Sequence, residues 1–401
     1  MLGYGRSDAT VVVGVVSVAH FLSHVFLLAY PPLFPLLATE FDVSTAQLGL
    51  LVTAIYVPQL LLQLPLGEVV DRVGAKWVLV SGLAVTSLSI GGSGLSTSYW
   101  MLLAFAFVSG VGQSVFHPAD YALLETVTTT DNEGLGFSAH TFGGYAGFAA
   151  APLAIGSVGI ALGWQTALVG AGIVGVLAAL GVALTIESVH ARRIEPNADD
   201  ADGSTLRQMV AFVGRTDLML VFVFYLVSMM ALVGLQSFTT VLAVDGYGFT
   251  ESTANTLLTV HLACTAVGVV AGGPVADRAS FRWIVIGAFV LSAVGVGAIV
   301  LAVSSASIAV ALVLFGLVGL LFGLALPSRD KFANSVADPG AVGKSFGFFF
   351  TGLSLGAVVS PVLLGAIIDA RSASAAFVAV SVLLVVAASV VVVAVYTPRT
   401  E

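Results

Sequence analysis

Ionisable residues are sparse within the long apolar stretches of this sequence, and several of them could do chemistry there. His20 and His24 are four positions apart, and Asp120 follows His117 by three positions, so each pair shares one face of a helix. Histidine titrates near physiological pH, so His20 and His24 could carry a proton or bind a solute. The alternative is a histidine whose hydrogen bonds are satisfied by a neighbouring helix. Histidines with this spacing can also bind zinc, but a zinc site needs three or four ligands. No cysteine and no obvious carboxylate accompanies the pair, so we predict no metal site.

Asp120 and Arg329 hold opposite charges in two distant apolar stretches. A charged side chain at mid-bilayer costs roughly 2.5–3.5 kcal/mol on insertion scales, so such residues usually face a partner or a cavity. We predict an ion pair between Asp120 and Arg329, with His117 and His140 nearby. This pair would join the two halves of the molecule and close the gap between them on the cytoplasmic side. Protonation of Asp120 would weaken this pair and would give a route for proton coupling. The alternative is a solvated interfacial cluster of charged residues at 329–331.

Other polar residues in the apolar stretches could line a cavity between helices. The candidates for binding a substrate or a proton, beyond the residues above, are Gln59, Gln113, Tyr145, Tyr225, Gln236 and His261. The alternative for each is a hydrogen bond to a neighbouring helix that only supports packing. No nucleophile with an adjacent base is found among them, so we do not expect an enzyme.

The elements that must position these residues are membrane-spanning helices. The chain has 401 residues, of which 58% are hydrophobic and 9% are charged, and its mean hydropathy is +1.06. A soluble domain has roughly 25% charged residues. The apolar runs have the length of about 20 residues that crosses a bilayer core, and backbone polar groups in lipid must bond within their own element. The composition therefore predicts an all-α membrane protein in contact with the lipid bilayer.

Twelve spans are predicted, six on each side of one polar, acidic linker. Residues 1–188 form an N-terminal six-helix bundle, 189–215 a cytoplasmic linker, and 216–401 a C-terminal six-helix bundle. The spans are approximately 10–38, 46–66, 76–96, 100–125, 135–162, 165–188, 216–242, 252–275, 283–303, 306–327, 343–368 and 374–396.

The distribution of basic residues predicts the orientation of the chain. With both termini in the cytoplasm, all 14 lysines and arginines except Arg371 fall on the inner side. Such a split agrees with the rule that inner loops are enriched in positive charge. We therefore expect a multi-pass protein of the cell (plasma) membrane. The net charge of −8 argues against a nucleic-acid partner.

The two bundles are related by an internal repeat. The stretch that begins at Gly67 returns at Gly273, and Pro118 is matched by Pro327, 209 positions later. Span 5 has Gly147, Ala151-Pro152 and Gly156, and span 11 has Gly356, Ser360-Pro361 and Gly365, also at an offset of 209. Parallel six-helix repeats are typical of transporters that bind their substrate between the two halves. The repeat therefore predicts two pseudo-symmetric six-helix bundles around a central cavity.

The turn between spans 2 and 3 carries a resemblance to a known family. It reads Gly67-x-x-x-Asp71-Arg72-x-Gly74-x-Lys76, and a weaker copy at Gly273 includes Asp277 and Arg278. The sequence resembles the major facilitator superfamily, whose signature turn lies between helices 2 and 3. The resemblance implies the fold of that family and a gating role for these residues. By this resemblance, Asp71 would help to lock the inner side closed by pairing with nearby bases and the N-terminus of helix 11. The alternative is a solvated turn that only sets the topology.

Two further stretches resemble a narrower group, the fosmidomycin-resistance-like efflux proteins. These stretches are 20–24 with 31–37, and 112–121. The sequence departs from the drug–proton antiporter pattern of the superfamily at two places. Ala106 stands where those proteins often have an arginine, and Ala151-Pro152 stands where they have Gly-Pro.

From these observations we expect a secondary transporter that works by alternating access, as a monomer and without a cofactor. The first expectation is proton-driven efflux of a small organic compound. The alternative within this class is uptake of a small organic anion coupled to protons or another ion. A non-transporting membrane sensor or an intramembrane enzyme is the alternative from another class. The sequence shows no appended soluble domain and no catalytic constellation to favour either.

Overall fold

The computed structural model describes residues 6–129, 132–186, 212–303, 305, 307–338 and 340–397, and the linker prediction falls mostly outside them. Twelve helices in these ranges are long and apolar enough to cross a membrane, which confirms the predicted number. The described residues contain no β-strand.

The first six spans form one half of the molecule, here called the N half. Its helices are α1 (Arg6–Leu27, extended by the turn Pro31–Leu33 and by Phe34–Phe41), α2 (Thr45–Val73), α3 (Ala75–Ser93), α4 (Tyr99–Gln113 and Phe116–Val127), α5 (Glu133–Ala151, Pro152–Gly156 and Ser157–Leu162) and α6 (Trp164–Thr185).

The last six spans form the C half. Its helices are α7 (Thr216–Val241, continued by Leu242–Gly246), α8 (Glu251–Arg278), α9 (Phe281–Ala302), α10 (Ile308–Val336), α11 (Val342–Ala370) and α12 (Ala373–Tyr396).

Several helices are longer than the sequence predicts. Helix α2 continues to Val73, so Asp71 and Arg72 lie in its last turn. Helix α10 was predicted to end at residue 327 and instead continues through Pro327 to Val336. Arg329 is therefore part of the helix and not of the loop that follows it. Proline removes only one backbone donor, and neighbouring helices tolerate the resulting irregularity in membrane proteins.

Close helix contacts show that the repeat extends to the packing. A Cβ atom at Gly147 in α5 would lie 2.1 Å from the carbonyl oxygen of Phe21 in α1. The matching position, Gly356 in α11, would bring its Cβ to 2.3 Å from the carbonyl oxygen of Leu226 in α7. Small residues permit such approaches between membrane helices. The offset is 209 for α5 and α11, and 205 for α1 and α7.

The two halves are joined mainly by α2 against α11 and by α5 against α8. We call the side with the connections 42–44 and 371–372 the far face, and the side where α6 ends and α7 begins the terminal face. Among the described residues, the hydrogen bonds between the halves lie in the part near the far face. They run from Thr53 to the Val358 carbonyl, from Thr240 to that of Pro31, from Asn255 to that of Pro32, and from 45–46 to Asp369.

Candidate functional site

The centre of the site is Asp120, in the second segment of α4. Its side chain is completely buried. One carboxylate oxygen, Oδ2, lies 3.1 Å from His20 Nδ1 and 3.0 Å from His140 Nε2. When the carboxylate is ionised it only accepts hydrogen bonds, and both nitrogens then donate to it. Asp120 thus joins α1, α4 and α5 inside the N half.

Glycine and serine residues allow α1 and α5 to bring the histidines together. A Cβ at Gly144 in α5 would lie 2.8 Å from His20 Nε2 and 2.9 Å from His24 Cε1. The hydroxyl of Ser23 donates to the His20 carbonyl at 2.8 Å, and Gln113 Nε2 donates to the Ser23 carbonyl at 2.8 Å. The predicted cavity residue Gln113 therefore makes a bond between α4 and α1. The supporting roles of Gly144 and Ser23 were missed by the sequence analysis.

Two more histidines complete what we call the histidine–aspartate cluster (His20, His24, His117, Asp120 and His140). The centre of the His20 ring is 3.7 Å from that of His140, 4.4 Å from that of His24 and 5.5 Å from that of His117. Buried Nδ1 atoms of His24 and His117 and Oδ1 of Asp120 have no hydrogen-bond partner among the described residues. The cluster can therefore accept protons or polar groups beyond the bonds it makes internally.

In this conformation Asp120 has partners other than the one predicted. Its carboxylate is bonded to His20 and His140 within the N half, and no ion pair with Arg329 is formed. His117 and His140 lie near Asp120, as expected. The pair with Arg329 was predicted for a closed inner side, and it stays a prediction for that conformation.

The cluster also changes the argument about metal binding. The sequence analysis excluded a metal because no carboxylate seemed to accompany the histidines, but Asp120 does. The ligand atoms of His20, Asp120 and His140 lie within 4.8 Å of one another and could hold a metal ion. Their two nitrogens converge on a single oxygen at hydrogen-bond distance, and this is the arrangement of a network that shares protons.

The C half contains a second charged group, here called the arginine–tyrosine cluster (Tyr225, Arg329 and Asp330). The Nε of Arg329 donates to Asp330 Oδ1 at 2.8 Å, and the Tyr225 hydroxyl donates to the same oxygen at 2.9 Å. The guanidinium lies 4.9 Å from the centre of the Tyr225 ring, within the range of a cation–π interaction. The side chain of Arg329 is 14% exposed and that of Asp330 is 53% exposed.

The two charged side chains of the arginine–tyrosine cluster differ in exposure: that of Arg329 is largely buried, and that of Asp330 is about half exposed. The alternative of a solvated cluster at 329–331 is therefore only partly correct. Asp330 is exposed, but Arg329 is largely buried beside Tyr225.

Other candidate residues make local contacts. Gln59 donates to a carbonyl of its own helix, that of Ile55, at 3.2 Å. His261 is buried in the C half, where its Nδ1 lies 3.2 Å from the Phe315 carbonyl oxygen and links α8 to α10. Gln236 is buried in α7. For His261 the geometry fits the packing alternative.

The signature turn lies exposed on the terminal face. Gly74 has φ of 97°, a conformation that favours glycine, and its position ends α2 and begins α3. Arg72 pairs with Glu68 in its own helix. Asp71 is exposed and makes no hydrogen bond or ion pair with a described residue. In this conformation, therefore, Asp71 does not contact the N-terminus of α11.

The remaining residues of the turn and its copy have local partners. The ammonium of Lys76 lies 4.9 Å from the centre of the Trp77 ring, and a Cβ at Gly67 would meet nothing within 4 Å. In the copy, Asp277 pairs with Lys331 of α10, and Arg278 ends α8. The copy is thus engaged within its own half, unlike Asp71.

Twelve membrane helices in two related halves, tied at one face and carrying charged clusters beside the seam, define a secondary transporter. The family comparison agrees with this class. The chain belongs to the Major Facilitator Superfamily, whose family model matches residues 16–253 and again 221–401. These matches confirm the family that the signature turn suggested.

Two relatives match most of the chain. An uncharacterized MFS-type transporter of Bacillus subtilis, YfnC, is 25% identical over 377 residues, which are 92% of this chain and 89% of the relative. The fosmidomycin resistance protein of Escherichia coli is 26% identical over 345 residues, which are 84% of this chain and 82% of that protein.

Solved structures share the fold at low identity. A bacterial homolog of the human lysosomal transporter Spinster, in an inward-facing and occupied conformation, has a TM-score of 0.83 and 16% identity, and the match covers 99% of this chain and 100% of that one. The nucleoside transporter NupG has a TM-score of 0.80 and 12% identity, with 96% and 99% covered. These values establish a shared fold.

Proposed function

We propose that this protein exports a small organic solute across the plasma membrane in exchange for protons, as a monomer with both termini in the cytoplasm. The observation that carries the proposal is the geometry of Asp120. This carboxylate is completely buried, and its described partners are two histidines and no residue with a fixed positive charge. Burying an uncompensated charge is costly, so the cluster stays neutral only by holding a proton.

Proton exchange would follow from the two faces opening in turn. With the terminal face on the cytoplasmic side, the conformation described above is inward-facing, because the halves are tied near the far face. A proton that entered from outside would leave the histidine–aspartate cluster toward the cytoplasm, and solute would bind from the cytoplasm. When the halves rock, solute would leave through the far face and a new proton would enter. Asp120, His20 and His140 would hold this proton, with His24 and His117 able to share it.

The relative's name suggests the first solute to test. A fosmidomycin resistance protein resembles this chain over most of both lengths, and resistance is a natural consequence of export. Fosmidomycin is therefore the first compound to try, followed by panels of antibiotics, organic acids and sugars.

Transport in proteoliposomes under an imposed pH gradient tests the proposal. We expect solute to move in the direction opposite to protons and to stop when the gradient is collapsed with a protonophore. Solute movement of equal rate with and without the gradient would contradict proton coupling. A parallel measurement with EDTA should give the same rate, because the proposal requires protons and no metal ion in the cluster. Loss of flux in EDTA would favour a metal as the occupant.

Uptake of a small organic anion is the second candidate, and Arg329 is the observation that favours it. A guanidinium presents a planar fork that binds carboxylate or phosphate groups through two hydrogen bonds. The side chain of Arg329 is only 14% exposed, so such a group would be bound largely away from water. In the same liposomes this candidate predicts that solute and protons move in the same direction.

A further inference from the structure

We propose that Asp369 at the end of α11 is a latch that holds the far face closed. Its two carboxylate oxygens accept hydrogen bonds from consecutive backbone amides of the other half. The amide of Thr45 donates to Oδ1 at 2.8 Å and the amide of Ala46 donates to Oδ2 at 2.8 Å. Both amides belong to the first turn of α2, where the helix dipole favours a negative charge.

The start of α2 is built to leave these two amides for a partner from outside. A helix begins with four amides that lack an acceptor in the helix itself. At α2, the amide of Ser44 donates to the Gln47 side chain at 3.0 Å, and the amide of Gln47 donates to the Ser44 hydroxyl at 3.3 Å. This capping box satisfies two of the four. The other two, at Thr45 and Ala46, are satisfied by Asp369 of the C half.

A row of close contacts continues the latch along both helices. A Cβ at Gly365, one turn before Asp369, would lie 2.7 Å from the Thr45 carbonyl oxygen. One turn further along α2, a Cβ at Gly49 would lie 2.2 Å from the Pro361 carbonyl oxygen. Helices α2 and α11 therefore contact each other directly from the far face toward mid-membrane. Opening the far face must separate this row and must break both hydrogen bonds to Asp369.

The same two helices carry a second carboxylate, which lies at the end of α2 near the start of α11. Asp71 lies at the other end of α2, on the terminal face, where α11 begins. Here Asp369 is engaged, while Asp71 is exposed and has no described partner. The internal repeat does not duplicate the far-face latch, because Ile160 stands at the position in α5 that matches Asp369. Asp369 of α11 and Asp71 of α2 thus lie at opposite faces of one helix pair, and of the two only Asp369 bonds to the other helix in this conformation.

Distances between spin labels on each face test the latch. In a Cys264→Ser background, Leu95→Cys with Leu301→Cys reports the far face, and Leu184→Cys with Tyr396→Cys reports the terminal face. All four positions are highly exposed. In Asp369→Asn, one of the two acceptor oxygens becomes an NH2 group, which cannot accept the hydrogen bond from the Ala46 amide. We expect the far-face distance to lengthen, the terminal-face distance to shorten, and the far-open population to rise about tenfold, which corresponds to about 1.4 kcal/mol.

Two further variants separate a latch from a simple helix cap. Asp71→Asn should shift both distances in the opposite direction, and Glu40→Gln, an exposed carboxylate near the same face, should leave them unchanged. A simple cap would lower the melting temperature of Asp369→Asn and leave the distances of the folded protein as they were. That result, or a shift toward terminal-face opening, would overturn the proposal.

Discussion

The two halves of this transporter place different chemistry at equivalent positions of one framework. At an offset of 205 in the first helix of each half, His20 corresponds to Tyr225, and at 209, Asp120 corresponds to Arg329 and His140 to Phe349. In each half, the residue of the first helix contacts the charged residue of the fourth helix. His20 bonds to Asp120 at 3.1 Å, and the Tyr225 ring lies under the Arg329 guanidinium at 4.9 Å.

The difference in residue types shows how the two halves of a duplicated fold can bind different partners. Asp120 and its histidines gain or lose charge when protons bind or leave, whereas arginine stays charged in proteins. In the mechanisms proposed above, the N half would therefore bind protons and the C half a group of fixed negative charge. The shared framework is visible even in detail, because Ser23 and its equivalent Ser228 donate to the carbonyls of His20 and Tyr225.

Among the variants that test this difference between the halves, replacement of Asp120 by asparagine should have the largest effect on transport. The amide of asparagine could not hold a transferable proton, and each lost hydrogen bond to a charged group removes about 1.5–3 kcal/mol. We expect proton-driven solute flux to fall to background, while exchange of labelled for unlabelled solute continues. Glu125→Gln, on an exposed face of the same helix, is the matched control and should behave like the unmodified protein. Driven flux that survives in Asp120→Asn would remove the N half from proton coupling.

Replacement of Arg329 should have the next largest effect, and on a different quantity. If the C half binds the anionic part of a solute, Arg329→Gln should weaken solute binding about tenfold or more, the loss of about 1.4 kcal/mol. Arg329→Lys should recover part of the affinity, because it keeps the charge and loses the planar fork. Binding is measured by calorimetry on purified protein, with the exposed Arg371→Gln as control. Equal solute affinity in Arg329→Gln, Arg329→Lys and Arg371→Gln would contradict a role of the C half in binding an anionic solute.

The sequence predicted the framework better than the contacts within it. The twelve spans, the repeat and the family follow from hydropathy and from a short motif, which are local properties of the chain. The partner of Asp120 is not local, since His20 lies 100 positions away. Its choice depends on how closely α5 approaches α1, and that distance is set by glycines such as Gly144. The charge pattern alone favoured Arg329, whose side chain turns to Asp330 and Tyr225.

Exchange of equivalent residues between the halves should have an intermediate effect. His140→Phe gives the N half the residue that the C half has at Phe349. Asp120 would keep His20 as a partner, so we expect driven flux to fall without being abolished and its dependence on external pH to change. The converse, Phe349→His, places a histidine beside Tyr225 and should not create a second proton site, because Arg329 stands at the position of Asp120 and already pairs with the nearby carboxylate of Asp330. A pH dependence that is unchanged in His140→Phe would limit the proton network to His20 and Asp120.

The smallest effect is expected at the charged residues of the terminal face, where the two halves also differ. Asp277 pairs with Lys331 inside the C half, while its repeat equivalent Asp71 has no described partner. Exposed ion pairs contribute little to stability, so Lys331→Gln should leave the melting temperature almost unchanged. It should also leave the spin-label distances between the halves unchanged, because both members of the pair move together. A shift of those distances in Lys331→Gln similar to the one expected in Asp71→Asn would mean that the two copies of the turn have equal roles, and that the asymmetry between them is not functional.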